Sequence, residues 1–343
     1  MFFVTALEVT IHPMDTATSR TQATVNTGSL TNSSMRPWAS HDAPASIMVQ
    51  PYRPGWQDGC MHTGLTTKTA RLEEILEELG AVVVAYSGGV DSATLAAVAH
   101  RVLGPASLAV TAVSPSLARS ELETASGLAR RFGWAHEIVQ THEGDREEYS
   151  RNDADRCYWC KTELFEVLAP LASERRAYIA VGTNVDDLGD YRPGLRAASE
   201  RHVATPLVDS GLTKPEVRML AAELGLPVAE KPASPCLASR FAYGVRVTPD
   251  GLQRVDRAEE AVRALGFRVF RVRDHGDLAC IEVQPDEIER AASLRQEMSA
   301  ALRELGFRYV ALDLSGFRSG AMNEVLPAPR LRDGAARVRR PGT

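Results

Sequence analysis

Apolar positions along the chain change their spacing from one region to the next. Up to about residue 65 they follow no period: "TATSRTQATVNTGSLTNSS" is built of Ser, Thr and Asn, and residues 1–65 are expected to be a disordered tail, as are residues 329–343. In "TKTARLEEILEELG", Leu72, Ile75, Leu76 and Leu79 recur on one helical face, and Gly80 supplies the stop. The run Val82 to Tyr86 that follows is short, apolar and β-branched, which predicts a buried strand. From there to about residue 230 such runs alternate with helical patterns. Ser107 to Val113 is a strand, and a helix opens at Ser120, with Glu123 as its capping-box partner and Ala125, Leu128, Ala129 and Phe132 as its buried stripe. "HEIVQT", a further helix and "AYIAVG" come next, and Thr213 with Glu216 caps another helix. Strands alternating with amphipathic helices predict an α/β fold with a doubly wound parallel sheet over 66–245. After about residue 246 the order becomes helix, two close strands ("FRVFRVR", "LACIEVQ"), helix and strand, a smaller C-terminal α+β domain over 246–328. No internal repeat is visible.

Composition narrows the setting. A chain of 343 residues, 44% hydrophobic and 24% charged, has room for two domains and a sizeable core. Its net charge of −5 gives no overall attraction to nucleic acid, so no nucleic-acid partner is expected. No stretch approaches the roughly 20 apolar residues of a membrane span, and the opening "MFFVTALEVTIH" lacks the basic flank and small-residue cleavage site of a signal peptide. The expected location is the cytoplasm, with Met48 and Met61 as candidate translation starts. There an odd set of five cysteines argues for metal or catalytic roles rather than disulfides.

The chemistry begins at "VVVAYSGGVDSATLAAVAH". A buried strand runs into Ser87, Gly88, Gly89, Val90, Asp91 and Ser92 and then into a helix. Two glycines let backbone N-H groups approach an anion, and the helix N-terminus adds unpaired donors and the positive dipole end. The Gly-Lys-Ser/Thr ending of a Walker A loop is missing. This SGGxDS loop resembles that of the adenine nucleotide α-hydrolase, or PP-loop ATP pyrophosphatase, superfamily, which adenylates a substrate oxygen and releases pyrophosphate. The resemblance implies a HUP-like sheet, ATP held by Ser87, Gly88, Gly89, Asp91 and Ser92 with Val113 and Gly182, and Mg2+ near Asp91.

"DRCYWCK" places Cys157 and Cys160 three apart, which by itself suits half a zinc site, a redox dithiol or two ligands of an iron-sulfur cluster. "KPASPCLASRFAYG" sets Cys236 four residues before Arg240, a cation suited to hold a thiolate. Together with "DDLGDYRPGLRAASE" and "LDLSGFRSGAMN", this stretch resembles the LarE family, ATP-dependent sulfur transferases that build the nickel-pincer nucleotide of lactate racemase; the likeness runs from about 70 to 327. It implies a small-molecule substrate, pyridinium-3,5-biscarboxylic acid mononucleotide, whose carboxylates are adenylated and become thiocarboxylates. It also implies a homo-oligomer, with the sulfur donor left unknown, and Cys157, Cys160 and Cys236 as ligands of a 4Fe-4S cluster, whose fourth iron has no protein ligand. The alternative is a sacrificial Cys236; Cys280 has no role in the pattern. A tRNA thiolation enzyme and a non-catalytic nucleotide-binding protein with structural zinc are the competing functions.

An anionic substrate needs fixed cations. In "FRVFRVRDHGD", Arg271 and Arg273 fall on one strand face, with Phe270 and Val272 on the other. With the resemblance in hand, Arg271 and Arg273 are expected to meet a phosphate or another protomer, with Arg192 and Arg318 nearer the substrate and Glu259 as a further candidate. Asp186 and Asp190 either assist magnesium or cap loops.

Overall fold

The computed structural model describes residues 59–189, 192–318, 320–321 and 324; the expected tails and Asp190 lie outside them, apart from residues 59–65. The first helix, α1 (Gly59–Leu79), begins earlier than the periodicity requires and ends where expected. There the Gly80 N-H, at φ 70°, donates to the Leu76 carbonyl at 3.1 Å. Then come β1 (Val82–Ala85), α2 (Val90–Leu103), β2 (Ser107–Val113), α3 (Arg119–Phe132) and β3 (His136–Gln140). The short α4 (Glu147–Ser150) and long α5 (Arg156–Arg175) lead to β4 (Tyr178–Val181), and α6 (Pro193–Glu200), α7 (Pro206–Asp209) and α8 (Lys214–Glu223) follow.

The four strands form one parallel sheet in the order β3-β2-β1-β4. Both faces are covered, as parallel strands require. Val82 and Val84 point into a core with Leu72, Leu76, Leu95, Leu128 and Leu220, while Val83 points the other way, onto Leu168 of α5. The doubly wound sheet predicted from the sequence is therefore present, and its strand order reverses between β1 and β4. A crevice at the carboxyl ends of strands at such a reversal is where this architecture binds ligands.

Two cap predictions had different outcomes. Thr213 and Glu216 form the expected reciprocal box at the start of α8, and Glu216 also takes both bonds from Lys68, at 2.7 and 2.8 Å. Ser120 does not cap α3: the Ala118 carbonyl accepts from Glu121 and Leu122, so the helix starts earlier and Ser120 lies inside its first turn.

Beyond this sheet, α9 (Pro249–Ala264) is capped by Thr248, whose Oγ1 accepts from the Gly251 N-H at 3.1 Å. Strands β5 (Phe270–His275) and β6 (Leu278–Val283) pair antiparallel; α10 (Ile288–Ser293) and α11 (Arg295–Glu304) lead to β7 (Tyr309–Leu312), parallel to β6. Phe270 and Val272 join the core between this three-stranded sheet and its helices, leaving Arg271 and Arg273 on the opposite face. Cys280 is half-buried in β6, opposite Arg273 in the strand register.

Candidate functional site

The loop between β1 and α2 sits at the reversal of strand order, and its packing explains its glycines. Gly88 has φ 73°, and a Cβ there would lie 2.9 Å from the Ala125 Cβ of α3. Gly182, just past β4, comes closer still: a Cβ would lie 2.7 Å from the Ser92 N, so only glycine lets β4 end against the first turn of α2. Ser92 Oγ ties the loop together, accepting from the Ser87 N-H at 3.2 Å, donating to the Gly89 carbonyl at 3.2 Å and sharing a 3.1 Å bond with Ser87 Oγ. Val113 ends β2 on the same edge of the sheet.

Two lysines reach this loop from far along the chain. The Lys214 ammonium pairs with the Asp91 carboxylate, whose other oxygen accepts from Asn184 Nδ2 at 3.1 Å. Lys231 Nζ donates to the Gly88 carbonyl at 3.2 Å and to Glu121 at 2.6 Å. Sequence reading missed both, since neither belongs to the loop motif; the available signal was Lys214 directly following the Thr213 cap. Asp186 caps instead of facing the loop, accepting from the Lys214 N-H at 2.7 Å.

The cysteines assemble around the start of α5. Cys157 is exposed in its first turn, where the dipole favours an anion. Cys160, one turn on, and Cys236, the N-cap of the 3-10 turn Leu237–Arg240, pack half-buried against one cluster with Tyr149, Leu237 and Phe241. Burial pushes the Cys160 thiol up, and the Cys236 sulfur adds to it. The cation among them is Arg156 rather than Arg240. Arg156 is 7% exposed and donates to Asn152 Oδ1 and, at 2.8 Å, to the Ala238 carbonyl. Burial works against its charge, yet the Cys157 and Cys236 sulfurs beside it raise its pKa above the usual value. Arg240 was expected to serve the thiol, but its charge is spent elsewhere. It is 3% exposed, forms a two-bond pair with Glu259 at 2.8 and 2.9 Å, and donates to the Pro235 and Cys236 carbonyls.

Next to the thiols, Tyr149 is 1% exposed and its hydroxyl makes no hydrogen bond of good geometry. Its neighbours include Ser116, Glu143, Cys160 and Cys236, and burial first and Cys236 second push its pKa up. An unpaired buried hydroxyl costs about 1–3 kcal/mol. Tyr149→Phe is therefore expected to leave the metal-free protein as stable or stabilise it by about 1 kcal/mol, read from the midpoint of urea unfolding.

A cavity of about 250 Å3 adjoins these groups, lined by Arg156, Cys157, Arg271, Arg273, Phe317 and Arg318 among others. Its arginines differ sharply in their partners. Arg273 pairs with Glu282 at 2.8 and 2.9 Å and donates to the Ser239 carbonyl. Arg318 is exposed and pairs with Glu324 at 2.5 Å. Arg271 bonds only the Phe270 and Ala233 carbonyls, at 2.6 and 2.8 Å, lies 4.8 Å from the Phe317 ring centre, and has no carboxylate partner among the described residues. Burial, with Arg240 and Arg273 nearby, pushes it down to about 10. Arg192 is not among the cavity-lining residues and pairs with Asp187 at 2.9 Å. Glu259 faces Arg240.

The sequence is similar to those of several known proteins. The asparagine synthase family matches residues 76–162, which include the loop and both cysteines of α5. The protein slr1717 of Synechocystis is 46% identical over 265 residues, 76% of this chain and 99% of its own. A tRNA-specific 2-thiouridylase of Azorhizobium caulinodans is 33% identical over 195 residues, covering 45% of this chain and 49% of its own. The pyridinium-3,5-bisthiocarboxylic acid mononucleotide synthase of Lactiplantibacillus plantarum is 38% identical over 274 residues, 78% of this chain and 98% of its own. Identity of 38% over nearly the whole of that synthase shows that the chain belongs to the LarE family of ATP-using sulfurtransferases in the PP-loop superfamily.

Proposed function

We propose that this protein adenylates the ring carboxylates of pyridinium-3,5-biscarboxylic acid mononucleotide and converts them to thiocarboxylates, in the cytoplasm, as part of nickel-pincer nucleotide formation. The observation that carries the reading is Arg271, a half-buried cation with no carboxylate partner among the described residues, in a cavity whose wall also holds Cys157. A desolvated charge without a counter-ion is a standing demand for an anion, and the fork of a guanidinium suits a carboxylate or phosphate. The name of the Lactiplantibacillus relative supplies the product class.

In the proposed order, the N-H groups of the Ser87–Ser92 loop and the α2 dipole hold the β- and γ-phosphates of ATP. Asp91, paired here with Lys214, would hold Mg2+, which would neutralise phosphate charge; Lys214 would lie beside the phosphates, with Val113 and Gly182 flanking the nucleotide. A substrate carboxylate oxygen then attacks the α-phosphorus and the bond to pyrophosphate breaks. Attack by hydrosulfide-level sulfur on the acyl carbon forms the C-S bond as the C-O bond to AMP breaks; the electron pair leaves on the AMP phosphate, and loss of the sulfur's proton leaves the thiocarboxylate. Residues 66–245 would carry the ATP chemistry; 246–328 would supply Arg271 and contacts in a homo-oligomer.

The donor set fits an iron-sulfur cluster. Among the described residues no three His, Cys, Asp or Glu side chains converge as a single ion requires. Three thiols are the donors an iron-sulfur cluster takes, and the negative charge of one held there would meet buried Arg156. Cys157, Cys160 and Cys236 would hold such a cluster, which would supply sulfur-carrying chemistry beside the cavity.

Protein purified without oxygen is expected to contain about four iron and four sulfide per chain, lost in each of Cys157→Ala, Cys160→Ala and Cys236→Ala. Iron-free protein that converts Cys236 to dehydroalanine in one turnover would replace the cluster by a sacrificial cysteine.

A further inference from the structure

The segment Ala229–Cys236 has an unusual means of support. Residues 231–236 belong to no helix or strand, and Pro232 and Pro235 remove two of the backbone donors. Its carbonyls are instead held by cations from three separate elements. Arg218 of α8 donates to Ala229 and, at 2.9 Å, to Lys231; Arg271 of β5 holds Ala233 at 2.8 Å; Arg240 holds Pro235 and, at 3.2 Å, Cys236.

The segment's own cation points the other way. Lys231 Nζ reaches the Gly88 carbonyl at 3.2 Å and is anchored by Glu121, in the first turn of α3, at 2.6 Å. Lys231 and Glu121 are both largely shielded, with side chains 19% and 17% exposed, so this is not a solvated surface pair. Five residues, at most roughly 17 Å of chain, separate Lys231 from Cys236. One end of a short, proline-stiffened segment therefore rests on the phosphate loop, and the other carries a thiol.

We propose that Lys231 is a positioning residue that couples occupancy of the phosphate loop to the placement of Cys236. An anion drawn to the Ser87–Ser92 N-H groups re-tensions the Gly88 peptide, the lysine follows its carbonyl, and the segment shifts Cys236 relative to the cavity. Sulfur is thereby presented when the loop holds pyrophosphate and withdrawn when it is empty. The inference rests on the proposed ATP chemistry but not on any metal.

The test is amide hydrogen exchange on the full chain with inorganic pyrophosphate and Mg2+ as the probe, binding being measured in parallel by calorimetry. In the wild type, pyrophosphate is expected to change exchange across peptides covering 229–240 by about threefold or more. In Lys231→Met that response disappears even at pyrophosphate concentrations that calorimetry shows to saturate the variant. Lys231→Arg, which keeps the charge and the reach, restores it. Glu121→Gln, which leaves Lys231 in place without its anchor, weakens it. In turnover, thiocarboxylate formed per AMP released falls about tenfold in Lys231→Met. A wild type that binds pyrophosphate without any change at 229–240, or a Lys231→Met protein that still responds, overturns the coupling and leaves the ATP reading intact. A wild type that does not bind pyrophosphate overturns both.

Discussion

Arg271→Ala is expected to lower kcat/KM for the nucleotide substrate by about thirtyfold or more, since losing a desolvated charge contact costs about 2–5 kcal/mol. Binding of the substrate measured by calorimetry should weaken by a similar factor, while affinity for ATP stays near wild type. Stability should change by less than about 1 kcal/mol. The substitution removes the bond to the Ala233 carbonyl, but it also removes a cation that no described carboxylate neutralises. Arg271→Lys should recover only part of the loss, because a point charge replaces a planar fork. Arg318→Ala is the control: its side chain is exposed and paired with Glu324, so its loss should cost threefold or less, about 0.7 kcal/mol. Equal effects of the two substitutions would remove Arg271 as the anion receptor.

Glu259→Ala should be the most destabilising single change, by about 3–5 kcal/mol in urea unfolding, because it leaves Arg240 buried and uncompensated. Both carboxylate oxygens of Glu259 bond that guanidinium, and one also accepts from the Val272 N-H at 3.3 Å. Removing the pair together, in Glu259→Met with Arg240→Met, should restore most of the stability, since two charges then leave the interior at once. Activity should not return with it, as the Pro235 and Cys236 carbonyls lose their donor. A double variant with wild-type turnover would show that Arg240 merely fills space.

Local pattern was sufficient wherever one element decided the outcome. The helical stripe of α1, the Thr213 and Glu216 cap and the alternation of β5 each depend on near neighbours, and each was legible. Ser120 failed as a cap because a competing carbonyl, that of Ala118, captured the first turn of α3. Two residues of one chemical type can also read alike and differ in role. Arg271 and Arg273 are indistinguishable in "FRVFRVR", yet β6 provides Glu282 for only one of them.

By itself the sequence determined the phosphate loop, the strand-helix alternation around it and the three cysteines, because these rest on contiguous residues and on side-chain chemistry that no fold can supply. Tertiary structure alone decided which charges are neutralised. It paired Arg240 with Glu259, brought Arg156 to the thiols, left Arg271 lining the cavity with no hydrogen-bonded carboxylate among the described residues, and set Lys214 and Lys231 on a loop 123 and 143 residues away. The physical reason is that charge pairing depends on distance in space and on the loss of water. Both arise only when strands far apart in the chain close the same crevice.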